Sequence, residues 1–399
     1  MSDKLSLSEL LPRQELAGTR LDQDRAGTTA RDFHWPFLDL VRFAAALLVL
    51  FGHSRGLYFA GIAQVPDAGI LTRLFYLATG LQHEGVVLFF VVSGFLVGGS
   101  AWRKIEMGEF NTRLYLINRF SRIYLVLIPA LVFAILIDRL GANLFAQTRF
   151  YAARPLFPSG VSDGWTLDQI PCHLAALQGI FCQPLGANPP LWSLGWEWFF
   201  YLVSPVLFAI CLVPLRLSLR IVAFICFWAS METVIGQGEG LFWFMTWLMG
   251  LGACLFVVRR PIPLALAIAG LALCAGSLVA SRTATVSTTL TDLGIGAGLA
   301  LALSCPTIAN ADLLSRIAAR GAGFSYSLYL IHLPLAVFMG GLLERLGWPP
   351  VLTPPGLQTV TAFAITIVVA ISGAMLFARF TENHTAAFRR LLTRAPVQS

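Results

Sequence analysis

Charge is scarce in this sequence. Of 399 residues, 12% are Asp, Glu, Lys or Arg and 57% are hydrophobic, with a mean hydropathy of +0.73. Soluble domains carry about 25% charged residues, so a water-soluble globule is excluded. The alternating ten-residue segments of a membrane barrel are missing too; the apolar runs are long and continuous. Only helices and closed barrels satisfy backbone groups in lipid. What remains is an all-α integral membrane protein in a lipid bilayer. The sequence also lacks Cys/His spacings of a metal site and a Gly-rich phosphate loop,, so no metal is expected. It shows no internal repeat of the kind common in transporters. The net charge of +7 does not argue for nucleic acid. It comes from Arg clusters between apolar segments, the usual mark of cytoplasmic loops.

Residues 1–35 are polar and contain no apolar core long enough for a signal peptide,. They are expected to form a flexible cytoplasmic tail, with the first span serving as an uncleaved insertion signal. A span needs roughly 20 mainly apolar residues. About ten candidates follow, centred in 37–57, 83–101, 121–138, 191–213, 219–235, 241–258, 262–280, 288–305, 323–343 and 358–379. With the N-terminus inside, the outside segments hold only Arg55, Arg73, Arg139, Arg149, Arg154, Arg282 and Arg345 of the 28 Lys and Arg; Arg42 lies within the membrane. That asymmetry predicts both termini in the cytoplasm. Residues 36–380 are then one ten-helix domain, and 381–399 a cytoplasmic tail. The Pro-rich segment 140–190 falls outside and reads as coil. Cys172 and Cys182 lie in it and can pair in an oxidising compartment, or remain free. The other five cysteines read as small packing residues.

The polar residues inside the spans carry the functional signal, because ionisable groups in a bilayer are costly. In FLDLVRFAAALLVLFGH, Asp39, Arg42 and His53 fall within a stripe about 60° wide at 100° per residue. Asp39 and Arg42 are i,i+3 neighbours able to pair near the cytoplasmic end. An interfacial ion pair is the plain reading of them. His53 lies about 16 Å further along; it is either a buried histidine bonded to a neighbouring helix or a general base. Ser93, in HEGVVLFFVVSGFLVGGS, precedes a Gly94/Gly98 spacing suited to close helix packing. Packing explains it better than a nucleophilic role, since no local base is evident. Arg119 and Arg122 in NRFSRIY, with Arg103 and Lys104 nearby, fit ordinary positive-inside topology or a phosphate site, because guanidinium groups grip phosphate bidentately. In PPLWSLGWEWFFYLVSP, an interfacial aromatic belt explains Trp192, Trp196 and Trp198. It does not explain Glu197, which is placed at the depth of His53. Ser193 sits beside Trp192. In GFSYSLYLIHLPL, Ser325, Tyr326, Tyr329 and His332 concentrate hydrogen-bonding groups; Ser325, Tyr329 and His332 share one face. A helix–helix contact is the plain alternative.

Five stretches in this order resemble the membrane acyltransferase family 3, integral-membrane O-acyltransferases acting on glycans, lipids and antibiotics. They are LDLVRFAAALLVLFGH (38–53), EGVVLFFVVSGFL (84–96), NRFSRIY (118–124), PLWSLGWEWFFYLVSP (190–205) and GFSYSLYLIHLP (323–334). The resemblance implies a ten-helix core and an acyl-CoA donor used from the cytoplasm, acetyl-CoA by default. It implies transfer to a hydroxyl of a carbohydrate or glycolipid acceptor, in a multi-pass protein of the bacterial inner membrane. By motif, His53 is the catalytic histidine, Asp39 and Arg42 belong to the same motif, and Glu197 matches the glutamate after Trp-Ser-Leu. Arg119 and Arg122, with Arg103 and Lys104 beside them, match the donor side. Ser93, Trp192, Ser193, Ser325, Tyr326, Tyr329 and His332 form the substrate or network set. The expected mechanism is direct transfer, with Glu197 orienting His53 or balancing its charge; an acyl carrier across the membrane is the alternative. Two stretches depart from the pattern: Leu125 stands where proline is expected, and FTENH (380–384) matches only at Glu382. With the sequence ending at Ser399, no fused esterase-like domain is expected.

Two other classes remain open at this point. A transporter or flippase for a glycan or lipid would also line its path with polar residues, and a membrane scaffold would tolerate loss of His53. Acceptor, acyl group and oligomeric state are not legible in the sequence.

Overall fold

The computed structural model describes residues 35–65, 67–152, 161, 167–235, 239–283, 286–312, 314–348 and 352–393. The expected N-terminal tail, apart from Trp35, lies outside them, as do residues 394–399 and part of the 140–190 segment. Among the described residues the protein is helical, with only isolated bridges such as Phe59 with Thr353 and no strands.

The long helices follow the apolar runs. They are α1 (Pro36–Tyr58), α3 (Gln82–Ser93), α5 (Thr112–Phe145), α7 (Trp192–Leu212), α8 (Leu217–Ile235), α9 (Glu239–Arg259), α10 (Leu264–Ala280), α11 (Thr288–Leu303), α14 (Ser325–Arg345) and α15 (Leu357–Phe380). Shorter helices join them: α2 (Ile70–Ala78), α4 (Gly99–Glu106), α6 (Ile170–Leu174), α12 (Pro306–Ala309), α13 (Ser315–Ala322) and α16 (Thr385–Thr393). Among the described residues, eight helical runs are long and apolar enough to cross a membrane, and α10 and α11 are shorter apolar helices. Each coincides with one of the ten expected spans. Pro129, Pro205 and Pro334 sit inside α5, α7 and α14.

Close approach explains the glycine pattern around α3. A Cβ on Gly94 would stand 1.8 Å from the Trp247 carbonyl oxygen, and one on Gly250 would stand 1.9 Å from that of Val91. α3 and α9 therefore touch backbone to backbone, as small residues permit. At this contact the chain passes through a π-helical turn, Gly94–Gly98, before α4.

The expected coil at 140–190 is partly ordered. α5 continues to Phe145, Leu167–Gln169 forms a 3-10 turn and α6 follows. Cys172 and Cys182 form a disulfide. The loop it closes packs on the start of α7, where Gln178 Nε2 donates to the Leu191 carbonyl at 3.2 Å; beyond the loop, Asn188 Nδ2 donates to the Leu330 carbonyl of α14 at 2.8 Å. Of the five remaining cysteines, Cys254, Cys274 and Cys305 are buried, but Cys211 and Cys226 are exposed on the outside of their helices. Residues 381–393, expected as tail, are folded: a 3-10 turn, Glu382–His384, leads into α16, which packs on α5.

Candidate active site

A cavity of about 580 Å³, lined by both polar and apolar side chains, opens among α1, α3, α5, α7, α14 and the segment after α15. Its size is within the about 300–1,000 Å³ usual for small-molecule sites. Its mouth is marked by Asn383 and Arg389, both exposed.

The first turns of α1 contribute an i,i+3 ion pair, Arg42 Nη1 to Asp39 Oδ1 at 3.5 Å, and both residues line the cavity. α5 contributes Arg119 and Arg122, one turn apart. They have different partners. Arg122 Nη2 lies 3.1 Å from Glu382 Oε1, with its guanidinium 5.4 Å from the centre of the Tyr326 ring. Glu382 is almost fully buried; its other oxygen accepts from the backbone N–H and hydroxyl of Ser327, each at 3.0 Å. Arg119 has no carboxylate partner among the described residues. Its guanidinium lies 5.8 Å from the rings of Tyr115 and Tyr201, and its Nε has no hydrogen-bond partner. A guanidinium stacked on aromatics but free of an acid is open to an external anion.

Deeper in the cavity a chain of hydrogen bonds ends on Glu197. Trp247 Nε1 donates to Ser93 Oγ at 3.1 Å, Ser93 Oγ is 3.1 Å from the Tyr201 hydroxyl, and that hydroxyl donates to Glu197. Glu197 thus does not reach His53, as the sequence suggested; its partner is one turn away on its own helix. Ser93 is occupied as a link in this chain.

Ser193 and Tyr329 close the inner end. Their hydroxyls are 2.6 Å apart, and Tyr329 donates to the Pro190 carbonyl at 2.8 Å. Phe89 packs edge-on against the Tyr329 ring. Trp192, next to Ser193, turns away from the cavity onto Trp243. Ser325 and Tyr326 line the cavity, with Ser325 Oγ bonded to the Ala322 carbonyl. Arg103 and Lys104 do not line it: Arg103 Nε folds back on the Gly99 carbonyl at 3.3 Å, and Lys104 is exposed. Their place beside Arg119 in the sequence reflects the α4–α5 connection, not a shared site.

Tyr329 lines the cavity, whereas His53 and His332 do not. His332 is one helical turn past Tyr329, and their rings are 6.1 Å apart. His53 Nδ1 lies 3.0 Å from His332 Nε2. Ser193 is one turn before Glu197 on α7, and its hydroxyl meets that of Tyr329. The observed partner of His53 is His332, and that of Glu197 is Tyr201.

Tyr201 and Glu382 were not singled out as site residues by the sequence. Tyr201 carried a signal, since it is i+4 from Glu197. Glu382 matched its motif at one residue alone. Among the described residues no cluster of metal-ligating side chains occurs.

Comparison with known proteins gives the family of the chain. The family described as an acyltransferase domain, acyltransferase family 3, matches residues 35–379. The chain belongs to that family. It is a membrane acyltransferase. It is 27% identical over 398 residues to the Acyltransferase MdmB of Streptomyces mycarofaciens, covering 91% of this chain and 94% of that protein. A protein of Haemophilus influenzae described as uncharacterized is 28% identical over 122 residues, 30% of this chain and 46% of the other. No solved structure matches.

Proposed function

We propose that this acyltransferase moves an acyl group, acetyl by default, from cytoplasmic acyl-CoA to a hydroxyl of a carbohydrate or glycolipid acceptor. One observation carries the reading. One cavity is lined both by Arg119, which has no carboxylate partner among the described residues, and by Tyr329, one helical turn from His332 of the His53–His332 pair. A thiol ester with a phosphorylated carrier needs both features: an anion anchor and, a pantetheine arm away, a base.

In this scheme the CoA phosphates bind Arg119, with Arg122 and Arg389 adding positive potential at the mouth. The Arg42–Asp39 pair fixes the near wall. The pantetheine arm runs inward past Glu197 and Ser193 toward Tyr329. The acceptor hydroxyl approaches from the opposite side. His53 Nε2 takes its proton as the oxygen attacks the thioester carbon. The C–S bond then breaks, and the proton passes to the CoA sulfur, so the products are the ester and free CoA. Glu197, tied to Tyr201, sets the charge and shape of the channel instead of touching the base.

This reading places the mouth, both termini and the 1–35 tail on the cytoplasmic side, and the disulfide loop outside, in a multi-pass protein of the bacterial inner membrane. The similarity to MdmB, a bacterial protein named an acyltransferase, supports the acyl-transfer part of the reading. The test is thermal stabilisation of the detergent-purified protein by CoA, since a ligand that binds the folded state raises its stability. Stabilisation by CoA but not by dephosphorylated pantetheine is the expected result. Equal stabilisation by both, or none by either, contradicts the anchor.

A further inference from the structure

We infer that His332 is a positioning residue that holds His53 in the tautomer whose Nε2 lone pair is free. The inference rests on the proposed role of His53 as base. It starts from the helix of His332. Nδ1 of that ring lies 3.0 Å from the Leu328 carbonyl and 2.9 Å from that of Tyr329. Carbonyl oxygens only accept, so His332 Nδ1 carries the hydrogen. In a neutral ring its Nε2 is then an acceptor. The atom facing it at 3.0 Å is His53 Nδ1, which must donate,.

The ring arrangement supports an in-line bond. The two planes are 23° from parallel with centroids 5.2 Å apart. Each nitrogen lies about one ångström from its own ring centre, so a 3.0 Å contact between them accounts for the centroid separation only if the rings meet edge to edge,. Face-on stacking does not bring the nitrogens together in this way.

His53 Nε2 is therefore the unprotonated nitrogen. His53 is only half-buried and its Nε2 has no hydrogen-bond partner among the described residues, so it remains reachable. The backbone of α14 dictates this state through two imidazoles in series. When His53 takes the acceptor's proton on Nε2, its Nδ1–H still points at the His332 lone pair, which holds part of the new positive charge. A carboxylate usually does this for a catalytic histidine. Here a neutral imidazole does it, without placing a second charge in the membrane.

The test combines a spectroscopic and a kinetic readout on the full-length protein in lipid nanodiscs. ¹⁵N spectra of histidine-labelled wild type, with His53 assigned by its loss in His53→Ala, report which ring nitrogen carries hydrogen. The expected spectrum shows protonated Nδ1 and bare Nε2 on His53. The variant His332→Gln can still accept a hydrogen bond near the Nε2 position and is expected to retain kcat within about tenfold; His332→Leu cannot, and is expected to lose roughly 10²- to 10⁴-fold in kcat, with donor KM nearly unchanged. A wild-type spectrum with hydrogen on His53 Nε2 overturns the inference whether or not either variant folds. Equal loss of kcat in His332→Gln and His332→Leu also counts against it. Normal transfer by His53→Ala would instead remove the base assignment and leave the tautomer result standing.

Discussion

Arg122 and Glu382 are 3.1 Å apart, an ion pair joining the start of α5 to the segment that follows the last long helix. Glu382 is nearly sealed from solvent, while Arg122 is about one-third exposed. Removing the arginine leaves a buried carboxylate with only Ser327 as a partner. Arg122→Met is therefore expected to destabilise the protein by about 1–3 kcal/mol, read as a drop in the thermal midpoint in detergent. Arg122→Met with Glu382→Gln should recover much of the loss.

Arg119 gives the opposite pattern. No acid depends on it, so Arg119→Met should leave the thermal midpoint close to wild type. Its loss should weaken CoA binding about ten- to hundredfold, the worth of a charge-assisted hydrogen bond at about 1.5–3 kcal/mol. Calorimetric titration of CoA against the variant measures this. Unchanged affinity would move the anchor elsewhere.

Ser93 separates a network from a covalent relay. It accepts from Trp247 and adjoins Tyr201, so Ser93→Ala should cost about 1 kcal/mol of stability and retain transfer within about tenfold. Tyr201→Phe should cost more, because Glu197 then loses its hydroxyl donor. Complete loss of transfer in a well-folded Ser93→Ala would point to an acyl-serine intermediate.

The disulfide loop has its own pH dependence. His173 lies buried beside Cys182, and burial lowers its pKa below the ordinary histidine value. The unfolded loop therefore binds a proton first as pH falls. Stability should hold above about pH 6.5, the unfolded value, then decline toward the lower folded pKa and level off beneath it. Hydrogen exchange across 170–182 should show faster opening at pH 5.5 than at pH 7.5, and the difference should vanish in His173→Leu.

The helices were legible because a span requires a long apolar run, and each run here formed one. The ion pair of Asp39 and Arg42 was legible too, since helical spacing alone brings i and i+3 together. The partner of His53 was not. Periodicity shows which face of a helix is polar, but not which helix packs against it, and His332 comes from the far end of the chain. The partner of Glu197 was missed for a related reason: its depth along α7 pointed toward His53, whereas its hydroxyl donor is Tyr201, one turn along the same helix. Arg103 and Lys104 looked like neighbours of Arg119 because charge clusters are counted along the chain, while the α4–α5 connection points them away from the cavity.

Transfer of labelled acetyl from acetyl-CoA to membrane glycans by His53→Ala tests the central claim most directly. Membranes should contain the variant at wild-type level, verified by immunoblot. The account predicts that CoA still stabilises the variant while acyl transfer falls by at least about 10²-fold. Transfer at the wild-type rate by that CoA-responsive variant would contradict it.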